Sequence, residues 1–430
     1  MIDIIKASNT EAMQKVWTRS QLNITAINDT VRNIIDQVIN EKDTALYRFT
    51  EQFDGVRPAN LKLDGSSLEA ATEKLDEALL EALKQAAKNI RAFHGAQKPK
   101  NIDMMINGGR VEQRFTPLES VGLYIPGGTA AYPSTVLMSA LPAKIAGVKN
   151  IVMITPPQKN GTVNPAILAA ARIAGIDAVY TIGGAQGIAA LAYGTESIPR
   201  VDKIVGPGNI YVAVAKQMVS IDVGIDMVAG PSEIAIIADE TANPAFVAAD
   251  LLSQAEHDPD AAAVLFTSSE SFGRKVRQAV IRQTEKQPRR KIIEAALKDN
   301  GAIVITESLN ESIRLVNKMA PEHLEIITED PRDVAAMIVH AGAIFLGPWS
   351  AEPLGDYMAG PNHTLPTSGT ARFKSALSTT DFYKATSIID YDEPAFNNIS
   401  EAIKAIANSE ALYAHAAAIT IRQEKEGTNE

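Results

Sequence analysis

Ile234-Ala235-Ile236-Ile237-Ala238, then Pro244-Ala245-Phe246-Val247-Ala248-Ala249-Asp250-Leu251-Leu252-Ser253-Gln254-Ala255-Glu256, then Ala262-Ala263-Val264-Leu265-Phe266-Thr267 decide the fold. The first and third runs are apolar without polar alternation, as strands buried on both faces require. The second is longer and rich in helix formers, so the order reads strand, helix, strand. The alternation continues through Ala302–Ile305, Glu325–Thr328 and Ala343–Leu346, with a helix over Glu307–Met319. An earlier series runs through Val121–Ile125, Ile151–Thr155, Ala178–Ile182, Lys203–Val205 and Asp226–Val228, with helices over Pro165–Ala174 and Ala185–Tyr193. Two such series predict an α/β protein with two parallel sheets, each covered by helices. They show no repeat at the residue level. Residues 1–100 read as mostly helical, with apolar positions at 3–4 spacing from Glu73 to His94. The tail from Ile399 to Gln423 is an Ala-rich helical pattern, too short to bury a core alone. It is expected to pack on another domain or another subunit.

Composition narrows the function. The 430 residues carry 46% hydrophobic and only 5% aromatic side chains, which reads as a soluble, Ala/Ile/Val-rich globular chain. A net charge of −10 with no Lys/Arg stripe argues against nucleic acid as a partner. No apolar run approaches the ~18–20 residues of a membrane span. The first ten residues lack the basic start and apolar stretch of a signal peptide, so a cytoplasmic location is expected. Cysteine is absent, which removes disulfides, thiolate ligands and a cysteine nucleophile together. Any metal must be held by nitrogen and oxygen atoms.

Four of the six histidines lie in short polar motifs: Ser253-Gln254-Ala255-Glu256-His257-Asp258, Pro321-Glu322-His323-Leu324, the run Gly355-Asp356 to Asn362-His363, and Glu410 to His415. Imidazole, carboxylate and amide oxygen are what a zinc site or an acid–base pair is built from. Gln254 and His257 stand at i, i+3 near a helix end, on one face, able to reach a single ion. Spacing alone favours the plainer reading, a polar helix terminus with His257 at the negative end of the dipole. Glu322 beside His323 suits proton transfer, but strand neighbours point to opposite faces, so both meet one site only if the backbone turns. An exposed turn is the equal alternative. The Gly/Pro/Asn-rich run from Gly355 to His363 reads as a loop that can carry a carboxylate and an imidazole into a pocket, or as plain turn chemistry. Glu410 and His415, five apart on one expected helix, read first as a solvated face. His94 and His340 lack polar neighbours in sequence and read as packing or surface residues.

Three glycine clusters follow expected strands: Tyr124-Ile125-Pro126-Gly127-Gly128, Gly183-Gly184-Ala185-Gln186-Gly187 and Gly206-Pro207-Gly208-Asn209. Such turns can cradle phosphates at a helix N-terminus. None is a G-x-G-x-x-G, and taken singly each is as well explained by a tight βα turn.

Taken together and in order, these motifs resemble the histidinol dehydrogenase family. The matching stretches are Val121–Gly128, Gly183–Ala192, Asp202–Asn209, Ala229–Glu233, Leu251–Pro259, Ala320–Glu325, Gly355–Thr367 and Glu410–His415, spread over about three hundred residues. The resemblance implies one zinc ion per subunit bound by Gln254, His257, Asp356 and His415. It implies Glu322 and His323 as the catalytic proton-handling pair. Ser134, Ser232, His363 and Glu410 join His323 and the zinc residues as substrate contacts, and Tyr124, Gln186 and Asn209 contact NAD. The implied fold has two incomplete Rossmann-like domains, small N- and C-terminal helical elements, and an intertwined homodimer whose Glu410 and His415 serve the partner's site. Residues 21–123 with 232–377 would form the first α/β domain and 124–231 the inserted second. Residues 1–20 with 378–390 would form a small dimerisation element, and 391–430 a helical tail on the partner subunit. The implied reaction is oxidation of L-histidinol to L-histidine through L-histidinaldehyde with two NAD⁺, the last steps of histidine biosynthesis. In it zinc positions the substrate, His323 is the general base and Glu322 activates water. Competing readings are a relative that oxidises another small diol, a zinc hydrolase using Glu322 without nicotinamide, and a non-catalytic zinc-dependent binding protein.

Overall fold

The computed structural model describes residues 2–19, 27–127, 131–176 and 178–424. Gly128 of the first glycine cluster lies outside them, as do residues 1, 20–26, 129–130, 177 and 425–430 of the expected domains. The chain divides into two compact units, one built from the residues up to Gln97 with Leu118–Phe382, the other from Lys98–Pro117 and the chain from Tyr383 onward.

The first unit holds two parallel sheets, as the apolar runs predict. With strands numbered in chain order, the larger has the order β1 (Asp3–Lys6), β11 (Gly301–Ile305), β10 (Ala262–Thr267), β9 (Glu233–Ala238), β12 (His323–Ile327), β13 (Ala343–Leu346). Every neighbouring pair is parallel, and His323 pairs in register with Ile234 and Ala343. Alternate residues of β9 serve opposite cores. Ile234 and Ile236 pack with Val247 and Leu251 of the helix Pro244–Ala255, while Ala235 and Ile237 pack with Ile313 and Val316 of the helix Leu309–Met319. Burial on both faces is why the strand reads as one apolar run.

The second sheet has the order β6 (Ala178–Thr181), β5 (Asn150–Thr155), β4 (Ser120–Tyr124), β7 (Lys203–Val205), β8 (Gly224–Ile225), again parallel throughout. From β9 in the first sheet and β4 in the second, the chain winds to one side and then returns to the other. Such reversals create a crevice between strand ends.

Several boundaries differ from expectation. The strand expected at Asp226–Val228 ends at Ile225, because the Asp226 carboxylate turns back to accept the Gly206 N–H at 2.8 Å. The N-terminal region is mostly helical, as expected, with one addition, the parallel edge strand β1 beside β11. The Gly355 segment is no loop at its start. Glu352–Tyr357 is a short helix with Pro353 in its first turn, and Gly355 is required there because a Cβ would lie 2.7 Å from the Phe345 ring.

The second unit holds an antiparallel sheet ordered β14 (Tyr383–Asp390), β3 (Gly109–Pro117), β2 (Ile102–Ile106). Its expected single tail helix is two helices, Glu393–Ser409 and Tyr413–Gln423, broken at Ala411, whose φ is +57°. Glu410 and His415 therefore do not share a helix. Among the described residues no helix is long and apolar enough to cross a membrane.

Candidate active site

β12 opens on His323, and Glu322 stands one residue before it. Ala320 at φ +49° and Pro321 turn the chain between the preceding helix and the strand. The turn lets both side chains reach one place, with Glu322 Oε2 3.6 Å from His323 Nδ1. Both residues are buried. One peptide neighbour grips the pair: the Glu233 N–H donates to Glu322 Oε2 at 2.8 Å, and the Glu233 carbonyl lies 3.2 Å from His323 Nδ1. That carbonyl can only accept, so Nδ1 carries the hydrogen and Nε2 keeps its lone pair. Burial pushes the Glu322 carboxyl well above its ordinary pKa, with Glu233, Asp356 and Glu352 adding repulsion and the Glu233 N–H opposing the rise. Burial lowers His323 to about 4 against the pull of Asp356, so the ring is neutral at neutral pH.

Glu233 is itself held from below. Its buried carboxylate forms an ion pair with Arg19 at 2.7 Å. Arg19 also donates to the Val16 and Met319 carbonyls at 3.0 and 2.8 Å. The Met319 contact pins the end of the helix from which the Pro321-Glu322-His323 turn departs.

Beside this pair lies a cluster with metal-binding geometry. Ligand atoms of His257, Glu352 and Asp356 all lie within 4.8 Å of one another. Glu352 and Asp356 are four apart on the short helix, hence on one face. Glu325 Oε1 accepts the Glu352 N–H at 2.7 Å and so anchors the helix start to β12, the strand of His323. Glu352 Oε1 is 3.8 Å from His323 Nε2, which joins cluster and pair into one site. Burial, then repulsion from Asp356, pushes Glu352 up to about 9. Gln254, fully buried at the end of the helix Pro244–Ala255, has no hydrogen-bond partner at Oε1 or Nε2. An orphaned amide costs free energy unless something else satisfies it. One imidazole, two crowded carboxylates and a spare amide suit a divalent cation that takes nitrogen and oxygen donors.

His363 packs against the same helix, its Nδ1 3.6 Å from Asp356 Oδ1 and 3.2 Å from the Asp356 carbonyl. Its Nε2 lies 3.2 Å from Thr135 Oγ1, on the first turn of the helix Pro133–Ala146 that follows β4. A cavity of about 420 Å³ opens there, lined by Tyr132, Ser134, Glu256, His257, Arg289 and Met358 among others. Ser232 is part-buried just ahead of Glu233. Glu410 caps the helix Glu393–Ser409 and His415 lies in the next helix, both exposed on the second unit.

The five-stranded sheet contributes its carboxyl edge. Tyr124 ends β4, Gly183 and Gly184 follow β6, and Gly206 follows β7. β4 and β7 are neighbours from which the chain winds in opposite directions, the position where open parallel sheets bind nucleotides. Gly183 and Gly184 give way to a helix that carries Gln186, whose buried Oε1 has no partner. Asn209 N-caps the helix Ile210–Val219, its Oδ1 accepting from Tyr211 and Val212. The Tyr124 hydroxyl accepts the Gly184 N–H at 3.2 Å, and burial pushes its pKa up to about 12. The glycines are required by packing: a Cβ on Gly127 or Gly183 would strike Pro156, and one on Gly208 would strike Val212.

Three of these residues escape a reading of polar motifs. Glu352 is visible only as an acid four positions before Asp356. Glu233 contributes through its peptide group, which no side-chain pattern reveals. His94, expected to lack polar company, is fully buried, with Nδ1 2.7 Å from Gln97 Oε1. It braces the Asn362 side of the site, since Asn362 also donates to the Met138 carbonyl at 2.7 Å.

Comparison with known proteins accords with this geometry. The family model described as histidinol dehydrogenase matches residues 17–423. A histidinol dehydrogenase of Bacillus cereus is 52% identical over 429 residues, covering 99% of this chain and 100% of the relative. One of Listeria innocua is 54% identical over 397 residues, covering 92% and 93%. The crystal structure of histidinol dehydrogenase from Elizabethkingia anophelis matches with a TM-score of 0.94 at 38% identity, covering 98% of each chain. By fold, by extent of match and by the order of its polar motifs, this chain belongs to the histidinol dehydrogenase family.

Proposed function

We propose that this protein oxidises L-histidinol to L-histidine through L-histidinaldehyde, using two NAD⁺ in succession. The observation that carries the reading is the grip of one residue's backbone, the N–H and C=O of Glu233, on a neutral imidazole and a buried carboxylate beside a candidate metal cluster. Zinc, held by Gln254, His257, Asp356 and His415, would bind the imidazole and amine of the substrate. Tyr124, Gln186 and Asn209 would hold NAD⁺, which would supply the hydride acceptor for each half of the reaction.

The protein's own groups move the protons. Its hydrogen bond to Glu233 leaves His323 Nε2 to take the hydroxyl proton as the first hydride departs. Glu322 then takes a proton from water as the water oxygen adds to the aldehyde carbon, while His323 returns its proton to the former carbonyl oxygen, giving a hydrate and a neutral ring. A carboxyl lifted well above its ordinary range is a stronger base than a solvated one, as this step needs. His323 takes the hydrate's hydroxyl proton as the second hydride leaves, and the acid results. An oxygen route suits a chain without cysteine. Ser134, Ser232, His363 and Glu410 would orient the substrate. Glu352 joins the reading as a further carboxylate at the metal.

The reading includes a homodimer in which Glu410 and His415 serve the partner's site. In support, the second unit exposes Ile406, Tyr413 and Ile421 on its two helices and Leu412 at the turn between them, apolar side chains a lone chain would leave wet.

The test is NADH yield from limiting histidinol with zinc-loaded protein. About two NADH per histidinol, abolished by a chelator, is expected. Turnover of another small diol with none of histidinol would keep the chemistry and overturn the substrate. Glu322→Gln should slow the aldehyde-to-acid half-reaction while sparing alcohol oxidation. A wild-type rate in that half-reaction would remove the water-activating role.

A further inference from the structure

The loop Gly206-Pro207-Gly208-Asn209 leaves β7 at the reversal between β4 and β7. Gly206 has φ +117°, and a Cβ on it would lie 2.1 Å from the Tyr124 carbonyl oxygen. Its backbone is thus pressed against the residue that ends β4. Standing outside strand and helix, its peptide groups lack regular secondary-structure partners. A buried ion pair supplies them instead. Lys216 Nζ donates to the Gly206 carbonyl at 2.9 Å, and the Gly206 N–H donates to Asp226 Oδ2 at 2.8 Å. The two side chains pair with each other, only 2% and 1% exposed. Asp226 Oδ1 also accepts the Met227 N–H at 2.6 Å.

A buried Lys–Asp pair is a poor way to fill a core. Desolvation consumes most of what the charges return, and apolar residues of equal volume hold a core as well. Apolar residues cannot, however, satisfy both the N–H and the C=O of a single loop residue. That residue leads directly to Asn209, whose Oδ1 is committed to two backbone N–H groups, leaving the amide nitrogen for a ligand. It also touches Tyr124. Fixing Gly206 therefore fixes the spacing between two groups at the nucleotide crevice.

We propose that the Lys216–Asp226 pair is a positioning device for the dinucleotide, holding Gly206 at both peptide groups so that Asn209 and Tyr124 stand ready for NAD. The proposal rests on the reading of this crevice as the NAD site. Neither Lys216 nor Asp226 needs to touch the nucleotide, and the effect falls on cofactor affinity and not on proton transfer.

The experiment is equilibrium titration of NADH fluorescence with the full-length protein, comparing wild type, Lys216→Met, the double variant Lys216→Met/Asp226→Asn, and Asn209→Ala. The double variant leaves no unpaired buried charge, so it keeps the test alive if the single variant fails to fold. Both should weaken NADH about tenfold or more, the size expected when a loop drifts by a fraction of an ångström to an ångström. KM for NAD⁺ should rise in step, while KM for histidinol, kcat at saturating NAD⁺ and zinc content stay within about twofold. A folded double variant whose NADH affinity matches wild type would overturn the proposal, leaving the pair a structural staple. If Asn209→Ala weakens NADH and the double variant does not, the positioning role alone fails. If Asn209→Ala and the double variant both bind NADH as wild type does, the crevice itself has been misread and both readings fall.

Discussion

Replacing Arg19 by methionine should test how the proposed catalytic pair is supported. Methionine keeps most of the volume but removes the guanidinium that faces Glu233, where the two side chains are 4% and 0% exposed. Breaking a buried pair from one side costs about 3–5 kcal/mol, because the remaining charge stays buried without compensation. For a chain of 430 residues the unfolding entropy near the midpoint is about 0.9 kcal/mol per kelvin. The thermal midpoint should therefore fall by about 3–6 °C.

The pH dependence has a definite sign. Burial holds the Glu233 carboxyl above its ordinary pKa even with Arg19 present, and removing the cation raises it further. In the variant the folded protein keeps a proton that the unfolded chain releases near pH ~4.3. The deficit is then smallest near that pH and grows as pH rises toward neutrality. Thermal unfolding followed by circular dichroism near pH 5 and pH 8 reads it directly. Adding Glu233→Gln removes the stranded charge and should recover most of the loss. A loss below about 1 kcal/mol, a gap unchanged between the two pH values, or losses that simply add in the double variant would refute the reasoning.

Further outcomes follow from the same site. Glu352→Gln should lower zinc occupancy, measured by elemental analysis after dialysis, because it removes one of three clustered donors; full occupancy would take Glu352 out of the metal's surroundings. Gly355→Ala should lower metal affinity without touching a donor, since its Cβ would meet the Phe345 ring at 2.7 Å and push the helix that carries Asp356; unchanged binding would mean the ring gives way freely. In a nitrogen NMR titration the His323 ring should stay neutral, with its proton on Nδ1, down to about pH 4. Because its folded pKa is depressed, stability should fall as pH drops from the unfolded value near ~6.5 toward 4. A ring titrating near 6.5 would contradict this.

Both sheets were legible because their strands are buried on two faces and read as unbroken apolar runs. The antiparallel sheet of the second unit was not. β2 is exposed along its length, so hydrophobic alternation is not enforced. The signal that was there is Asn107-Gly108, both at positive φ between β2 and β3, the pattern of a tight hairpin. The short helix at Glu352 was hidden by Gly355 and Pro353, which read as loop formers. Here proline sits harmlessly in a first helical turn and glycine makes room for Phe345. In the site, histidines flanked by polar groups announced themselves. Glu233 did not, because its contribution is its backbone N–H and C=O and its side chain looks inward to Arg19. Composition cannot register such a role.

The two sheets use opposite edges, and that explains how one chain brings metal-binding and nucleotide-binding features together. At the carboxyl edge of the five-stranded sheet, loops leave the strands toward helix N-termini, where backbone N–H groups gather. The six-stranded sheet instead contributes its amino edge. There the first residue of β9 has an N–H and a C=O to offer, and at Glu233 these meet a carboxylate and an imidazole. The helix after β9 runs back to the same edge and delivers Gln254 and His257 at its end. The helix Pro133–Ala146 joins the two edges, starting just after the Tyr124 strand and meeting His363 through Thr135. A carboxyl edge supplies donors for phosphates, while an amino edge supplies entry peptides and helix C-termini suited to cations and proton-transfer groups. On the proposed reading, a dehydrogenase with NAD on one side of its substrate and a metal with a water-activating carboxylate on the other would draw one edge from each sheet.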